Sequence, residues 1–307
     1  MKNRPKITFV IHGKLKTIPT IKKKLTLVFE KDFEVDFLLT MPKIGAKNQV
    51  TKAIEEQADY VIIAGGDGSI NETINGYMSA PEELRKKVVL GVLPMGTGND
   101  FVKSLKVKNN YEELLELIKQ QSFVDVDIAA VQFQNLKNEP DNRYFINIMD
   151  IGIGGSVAEN LAKSSKLFSA NLTYAKAIVS GFLKYKKQYV ELSSANYNWK
   201  GEILSLCMAN GKYFGSGMCI ARDASLTDGK IQLTIMGNVS LWDYIKKLSK
   251  IKRGEKLAHK EVTYAEVEGC SIQAPKPCPI DMDGEFIGYT PIELKVLPAM
   301  VRMIGRK

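Results

Sequence analysis

The chain has 307 residues, of which 45% are hydrophobic and 25% charged, and it carries a formal net charge of +9 at pH 7. This is the composition of an ordinary globular protein of about two domains, with length enough to bury substantial cores. It holds no low-complexity tract, no internal repeat and no run approaching the ~18 apolar residues of a spanning helix. The opening "MKNRPKITFVIHGKLK" lacks an apolar region long enough for a secretory signal. Cys207, Cys219, Cys270 and Cys278 are scattered without C-x-x-C spacing, as expected of reduced cysteines in the cytoplasm. With only His12 and His259 in the sequence, a zinc site built on histidines is not expected. The positive charge suits anionic partners, or it is simply an excess of surface lysine. No homeodomain, zinc-finger or RRM pattern is present, so nucleic acid is not expected as a partner.

In chain order, "KITFVIHG" reads as a strand, and the basic stretch from Ile21 to Phe29 as a helix. "FEVDFLLT" follows as a strand and Lys47 to Gln57 as a helix. "DYVIIAGG" is almost continuously apolar, as a strand buried on both faces requires. "KKVVLGVLPMG" reads as a fourth strand. Strands alternating with helices predict a doubly wound, mostly parallel α/β domain over residues 1–123.

From Val124 the pattern changes. "VDVDIAAVQF", "RYFINIMDIGIG", "QYVELSS", "GEILSLCMANG", "GKIQLTIM" and "EVTYAEVEGCSIQA" are short strand candidates. They predict a mainly antiparallel, sandwich-like second domain over 124–307. Helices are expected within Phe168 to Lys187 and within Leu241 to Ile251. The ending "LKVLPAMVRMI" pairs either within the second domain or back in the first.

"AGGDGSINETINGYM", from Ala64 to Met78, follows the buried third strand directly. Its glycines let the chain turn and let a ligand approach the backbone. Ser69 and Glu72 have capping-box spacing, which predicts a helix starting there. A glycine-rich turn opening a helix is a phosphate cradle, because amide N–H groups and the helix dipole both favour an anion. Ligands of open α/β sheets bind outside the carboxyl ends of the strands. Asp67 fits beside phosphates only with a cation or a ribose hydroxyl between, or else it is a local backbone cap. "LGVLPMGTGNDF", Leu90 to Phe101, is a second strand with a glycine-rich turn, and the two together suggest a two-sided nucleotide cleft. Neither stretch is a Walker P-loop or a G-x-G-x-x-G fingerprint.

"PIDMDGEFIGY" places Asp281, Asp283 and Glu285 at alternate positions, on one face if the segment is a single extended strand. Clustered carboxylates raise one another's pKa, which suits a general base. Asp-Gly between extended runs is also a hairpin turn signal.

"GGDGSINE" (Gly65–Glu72) and "PMGTGNDF" (Pro94–Phe101) resemble the two signatures of the diacylglycerol kinase catalytic-domain family. That family includes bacterial lipid kinases, sphingosine kinases and ceramide kinases. "INIMDIGIGG", "ANGKYFGSGMCIARDASLTDGKIQL" and "MDGE" extend the resemblance over essentially the whole chain. It implies ATP-dependent phosphorylation of a lipid hydroxyl, most simply of diacylglycerol, with Mg²⁺. Its nucleotide contacts fall on Thr40, on Gly65, Gly66, Asp67, Gly68, Ser69, Ile70, Asn71 and Glu72, and on Gly96, Thr97, Asn99 and Asp100. Its metal site falls on Asp228 with main-chain carbonyls of Ser225 and Lys230. Its catalytic base falls on Glu285, with Asp283 beside it. The first-strand turn departs from the family pattern, so that Lys14 or Lys16 stands where a phosphate contact belongs. Arg222 replaces a proline in the metal loop.

A membrane lipid as acceptor implies peripheral contact with an anionic inner membrane surface from the cytoplasm. "LFSANLTYAKAIVSGFLKYKK" and "LWDYIKKLSKIKRGEKLAHK" mix apolar and basic residues and suit that contact, or are ordinary amphipathic helices. A homodimer is one option. The competing readings are a soluble kinase resembling NAD kinase and a non-catalytic nucleotide or lipid sensor. "GTGND" argues against the first, and retention of Asp67, Asp228 and Glu285 against the second.

Overall fold

The computed structural model describes residues 4–163 and 185–306. The helix expected between Phe168 and Lys187 falls on the intervening segment and lies outside the described residues. The chain divides into two compact units, Met1–Ile128 with Pro298–Lys307, and Ala129–Leu297.

The first unit is built on β1 (Lys6–Ile11), β2 (Glu34–Leu39), β3 (Tyr60–Gly65) and β4 (Val89–Pro94). They lie in the order β4-β3-β1-β2 and all pair in parallel. Ile7, Phe9, Val10 and Ile11 of β1, and Val61 through Ala64 of β3, are buried. Only a strand covered on both faces needs such a run, and helices supply the cover. These are α1 (Ile18–Phe29), α2 (Ala46–Glu55), α3 (Asp67–Ser79), α4 (Glu82–Arg85), α5 (Asp100–Leu105) and α6 (Tyr111–Lys119). The chain's last strand ends in this unit, with Met303 opposite Leu90 in parallel. The ending divides between the two options: Leu294 and Lys295 pair with Cys270 and Gly269 in the second unit, and Pro298 onward belongs to the first.

The second unit contains the end of β5 (Phe123–Gln134), then β6 (Pro140–Phe145), β7 (Ile148–Gly152) and α7 (Ile153–Lys163). There follow β8 (Gln188–Ser193), β9 (Asn198–Ile203), β10 (Ser205–Ala209), β11 (Tyr213–Phe214), β12 (Met218–Cys219) and β13 (Ile231–Met236). Then come α8 (Leu241–Lys252), β14 (Val262–Val267), β15 (Gly269–Gln273), β16 (Pro279–Met282) and β17 (Glu285–Ile304). One run of strands is β14-β13-β10-β7-β16-β17. β17 is long: Glu285–Tyr289 pairs with β16, and Ile292–Lys295 pairs with β15, which continues to β8 and β9. A shared core that includes Phe145, Met149, Leu206, Leu233, Ile272 and Ile292 fills the interior. The expected pair of folds, parallel α/β and antiparallel sandwich-like, is thus borne out.

Two local expectations differ. "RYFINIMDIGIG" does not continue as a strand, because Gly152 takes a φ of 108° and α7 begins at Ile153. Asp150 caps that helix, its Oδ2 accepting from the Gly154 N–H at 2.9 Å. "PIDMDGEFIGY" is not one strand: Asp283 (φ 51°) and Gly284 (φ 90°) form a two-residue turn between β16 and β17. Positive φ at both central positions is the requirement that Asp-Gly meets in a tight hairpin.

Candidate functional site

In the first unit, parallel strands bring four loops to one carboxyl edge: the turn at Gly13 after β1, Thr40 after β2, Gly66–Ser69 after β3 and Gly96–Asn99 after β4. Thr40 ties the first two, its Oγ1 accepting from the Gly13 N–H at 3.0 Å. Lys14 and Lys16 are exposed in the same first loop.

The two glycine turns are packed against each other. A methyl built on Gly96 would lie 2.5 Å from the Gly66 Cα, and one built on Gly66 would lie 2.9 Å from the Gly96 Cα. No side chain fits at either position without moving backbone. Asn99, itself left-handed (φ 50°), closes its turn by accepting from the Gly96 N–H at 2.9 Å and donating to the Gly96 carbonyl at 2.8 Å. Asp67 then joins the turns. Its Oδ1 accepts from the Asp100 and Phe101 N–H groups at 2.9 and 3.1 Å, at the start of α5. This answers why a carboxylate stands among the glycines: it caps the neighbouring helix, and its charge is met by two amide donors.

α3 begins at Asp67, two residues before the expected Ser69, and its N-cap Gly66 offers no side-chain cap. Its first-turn amides therefore have no partner from a capping residue, the condition for an anion site. The capping box does not form. Ser69 lies inside the helix, where its carbonyl accepts from the Thr73 hydroxyl at 2.7 Å. Glu72 instead reaches α2, where its Oε2 accepts from the Ala46 N–H and serves a helix whose own N-cap is Gly45. Ile70 is core and Asn71 is buried with its side chain bonded to Asn75. Gly66, Asp67, Gly68, Ser69, Gly96, Thr97 and Thr40 keep surface exposure at the carboxyl edge, while Gly65, Ile70, Asn71 and Asp100 are buried behind it. Asp100 holds Lys103 at 2.5 Å.

Asp67→Ala is expected to lower stability by about 1 kcal/mol, the usual cost of a lost helix cap, and to weaken nucleotide binding with it. Asp67→Asn keeps one oxygen for the Asp100 N–H and should recover most of the stability. Thermal melts and nucleotide titration of both variants check this. An Asn variant that is stable but inactive assigns the charge itself a role toward substrate.

In the second unit, Ser225, Asp228 and Lys230 lie in the loop before β13. Asp228 Oδ1 accepts from the Lys230 N–H at 3.1 Å, and the Lys230 ammonium pairs with Glu266 at 3.1 Å. Arg222 pairs with Asp223 at 3.3 Å. Among the described residues no three His, Cys, Asp or Glu side chains cluster as a metal cage. The ligand set that the resemblance implies, the Asp228 carboxylate with the Ser225 and Lys230 carbonyls, is all oxygen, a chemistry that suits a hard cation keeping most of its water.

The three acids of "DMDGE" have three different environments. Asp283, in the turn, is 9% exposed, and its carboxylate accepts from the N–H groups of Ile146, Asn147 and Ile148 at 3.3, 3.2 and 2.9 Å. Glu285 begins β17 opposite Met282, with its side chain 44% exposed and Arg143 Nη1 at 3.5 Å. Asp281 is buried and accepts from the Gly284 N–H at 2.9 Å, which braces the same turn. The expectation of one shared face is corrected: the turn places Asp281 across from Phe286.

Asp281's true carboxylate neighbour is Asp150, its cross-strand partner on β7. Sequence reasoning missed Asp150, and only strand register reveals the pair. Asp150 accepts from Ser205 Oγ at 2.6 Å and Cys207 Sγ at 3.1 Å. Burial pushes its carboxyl up to about 6, against these hydrogen bonds. Burial first, then the charge of Asp150, holds Asp281 well above the usual carboxylate range. The native state therefore binds more protons than the unfolded chain once pH exceeds about 4, so this pair's contribution to stability falls as pH rises through 6. Asp281→Asn, which retains an oxygen for Gly284, is expected to raise the melting temperature relative to wild type at pH 8 and much less at pH 5. An equal shift at both values would mean that the pair ionises without cost.

Two family descriptions match this chain. "Diacylglycerol kinase catalytic domain" covers residues 8–131, and "YegS C-terminal NAD kinase beta sandwich-like domain" covers residues 148–305. A Yersinia pestis protein named "Probable lipid kinase YegS-like" is 27% identical over 301 residues, spanning 97% of this chain and 96% of its own. A Yersinia pseudotuberculosis protein of the same name matches equally. Among solved structures, a diacylglycerol kinase from Bacillus anthracis superposes with a TM-score of 0.73 at 19% identity, covering 100% of this chain and 98% of its own. Yeast NADH kinase complexed with NADH gives a TM-score of 0.55 at 8% identity, covering 100% and 85%. Both likenesses are of fold. With the YegS C-terminal domain over residues 148–305, more than half of its length, and the diacylglycerol kinase catalytic domain over residues 8–131, the chain belongs to the diacylglycerol kinase catalytic-domain family.

Proposed function

We propose that this chain transfers the γ-phosphoryl group of ATP to a hydroxyl of diacylglycerol or a closely related membrane lipid. The observation that carries the reading is the uncapped start of α3, locked by Gly66, Gly96 and Asp67 into a rigid pair of turns at the carboxyl edge of a parallel sheet. The amides of that helix start would hold the phosphates, and Lys14 and Lys16 would add positive charge beside them. Glu285, accessible and fixed by its hairpin, would take the proton from the lipid hydroxyl. The new bond joins the hydroxyl oxygen to the γ-phosphorus, the bond from that phosphorus to the bridging oxygen breaks, and ADP leaves. In phosphoryl transfer the protein's main work is positioning and charge neutralisation.

A divalent cation such as Mg²⁺ belongs to the reading. Asp228 and the carbonyls of Ser225 and Lys230 would hold it, and it would supply positive charge to that loop. No described helix is long and apolar enough to cross a membrane. The lipid would then be reached from the cytoplasmic face, with the enzyme in peripheral contact.

The test is label transfer from γ-labelled ATP to a panel of detergent-dispersed diacylglycerol, sphingosine, ceramide and phosphatidylglycerol, with NAD as the soluble acceptor. Label in one lipid is the expected result. Label in NAD alone overturns the lipid assignment, and nucleotide binding without transfer to any acceptor makes the chain a sensor.

A further inference from the structure

α8 is attached to the second unit by one side. Ile251 is buried, and Tyr244 packs with it against a core that includes Ile148, Cys207, Ile220 and Ala221. A helix turns 100° per residue, so the side opposite Ile251 carries Trp242, Ser249, Lys246 and Ile245, with Lys252 at its edge. All five are exposed, Trp242 by 72% and Ile245 by 45%. Ser240 fixes the start of the helix by accepting from the Asp243 N–H at 3.1 Å, so the exposed tryptophan stands on a firm first turn.

The charges decide what this side fits. The helix holds Lys246, Lys247, Lys250 and Lys252 against a single acid, Asp243. Asp243 lies at the edge of that side, about 100° around the helix from Trp242, with its carboxylate bonded to the Ser240 hydroxyl at 2.6 Å and its charge acting on Lys246 and Lys247. An indole and an isoleucine one turn apart, on a helix with four lysines to one acid, match the boundary of an anionic bilayer. Tryptophan settles at the headgroup level, lysine stems lie along apolar surface, and their ammonium groups meet lipid phosphates.

We infer that the outer side of α8, centred on Trp242, Ile245, Lys246 and Lys252, docks this protein on an anionic phospholipid surface. The inference rests on the lipid kinase reading for its purpose, though not for its geometry. Docking by one short helix is reversible and screened by salt, with a Debye length of about 8 Å at physiological ionic strength.

The experiment uses the full chain without ATP and vesicles of phosphatidylcholine, either pure or with one third phosphatidylglycerol. Wild type is expected to co-sediment with the anionic vesicles only, and to release as salt rises. The Trp242→Ala/Ile245→Ala and Lys246→Glu/Lys252→Glu double variants should each lose at least about tenfold in vesicle affinity. Tryptophan emission should shift to the blue on anionic vesicles. The shift should vanish in Trp242→Phe, which leaves Trp199 as the sole indole. Unchanged vesicle binding by the double variants, or a blue shift that persists in Trp242→Phe, overturns the inference. So does a preference of this side for duplex DNA or for a soluble protein over vesicles. Phosphorylation of detergent-dispersed lipid by the same variants, expected at the wild-type rate, separates the two readings. Lipid phosphorylated in detergent by a wild type that ignores vesicles sinks docking alone. Docking by a wild type that phosphorylates no lipid sinks the kinase reading alone.

Discussion

Glu285→Gln is expected to lower kcat on lipid by about 10²–10⁴-fold, the usual contribution of a placed general base, with little change in nucleotide affinity. An alcohol is a poor nucleophile until its proton has somewhere to go. Glutamine preserves size and one oxygen but accepts no proton at comparable cost. The side chain is 44% exposed, and solvent screening at that exposure keeps the worth of its ion pair with Arg143 small. Melting temperature should therefore stay near that of wild type, within the roughly 0.5 kcal/mol typical of surface substitutions. This separates catalysis from architecture. A Gln variant with unchanged kcat would place the base elsewhere, and one that melts early would make Glu285 a turn residue.

Two positions before it, Asp283 should behave in the opposite way. Asp283→Ala strips the acceptor from three N–H groups, those of Ile146, Asn147 and Ile148. Each buried donor left without a partner costs about 1–3 kcal/mol. The residue also has a φ of 51°, which aspartate tolerates better than alanine. A loss on the order of 3–5 kcal/mol is expected, read as a large drop in melting temperature or in denaturant midpoint. Activity should fall as well, because the turn that presents Glu285 is anchored by this carboxylate. Asp283→Asn keeps an oxygen for Asn147 and Ile148 and should be much milder on both counts. If the Ala variant folds as well as wild type, the carboxylate is not the anchor of the hairpin.

The contrast between these two acids shows how far the sequence could be read. "MDGE" announces a tight turn, because Asp-Gly serves two positive-φ positions, and family resemblance singles out Glu285. Nothing in the spacing says that Asp283 would turn inward to three amides at the approach to β7 while Glu285 stays open to solvent. That division depends on which strand lies beside the hairpin. The same holds for Glu72. Its spacing from Ser69 is that of a capping box, yet Gly66 begins α3 earlier, and the carboxylate caps α2 instead. A local rule lost to a tertiary partner of comparable strength.

What the sequence by itself determined is what short-range chemistry can encode. Buried strands are legible in continuous apolar runs, the glycine turns in their composition, and the two fold classes in the change of rhythm near Val124. Tertiary structure alone decided the long-range pairings. Asp67 meets Asp100 and Phe101, Gly66 packs against Gly96, and Asp281 faces Asp150. Each joins residues far apart in the chain, through strand order and register rather than through any periodicity along it. In a sheet, one residue of register moves every side chain to the other face. The partner of a buried carboxylate therefore exists only once the strands have been laid side by side.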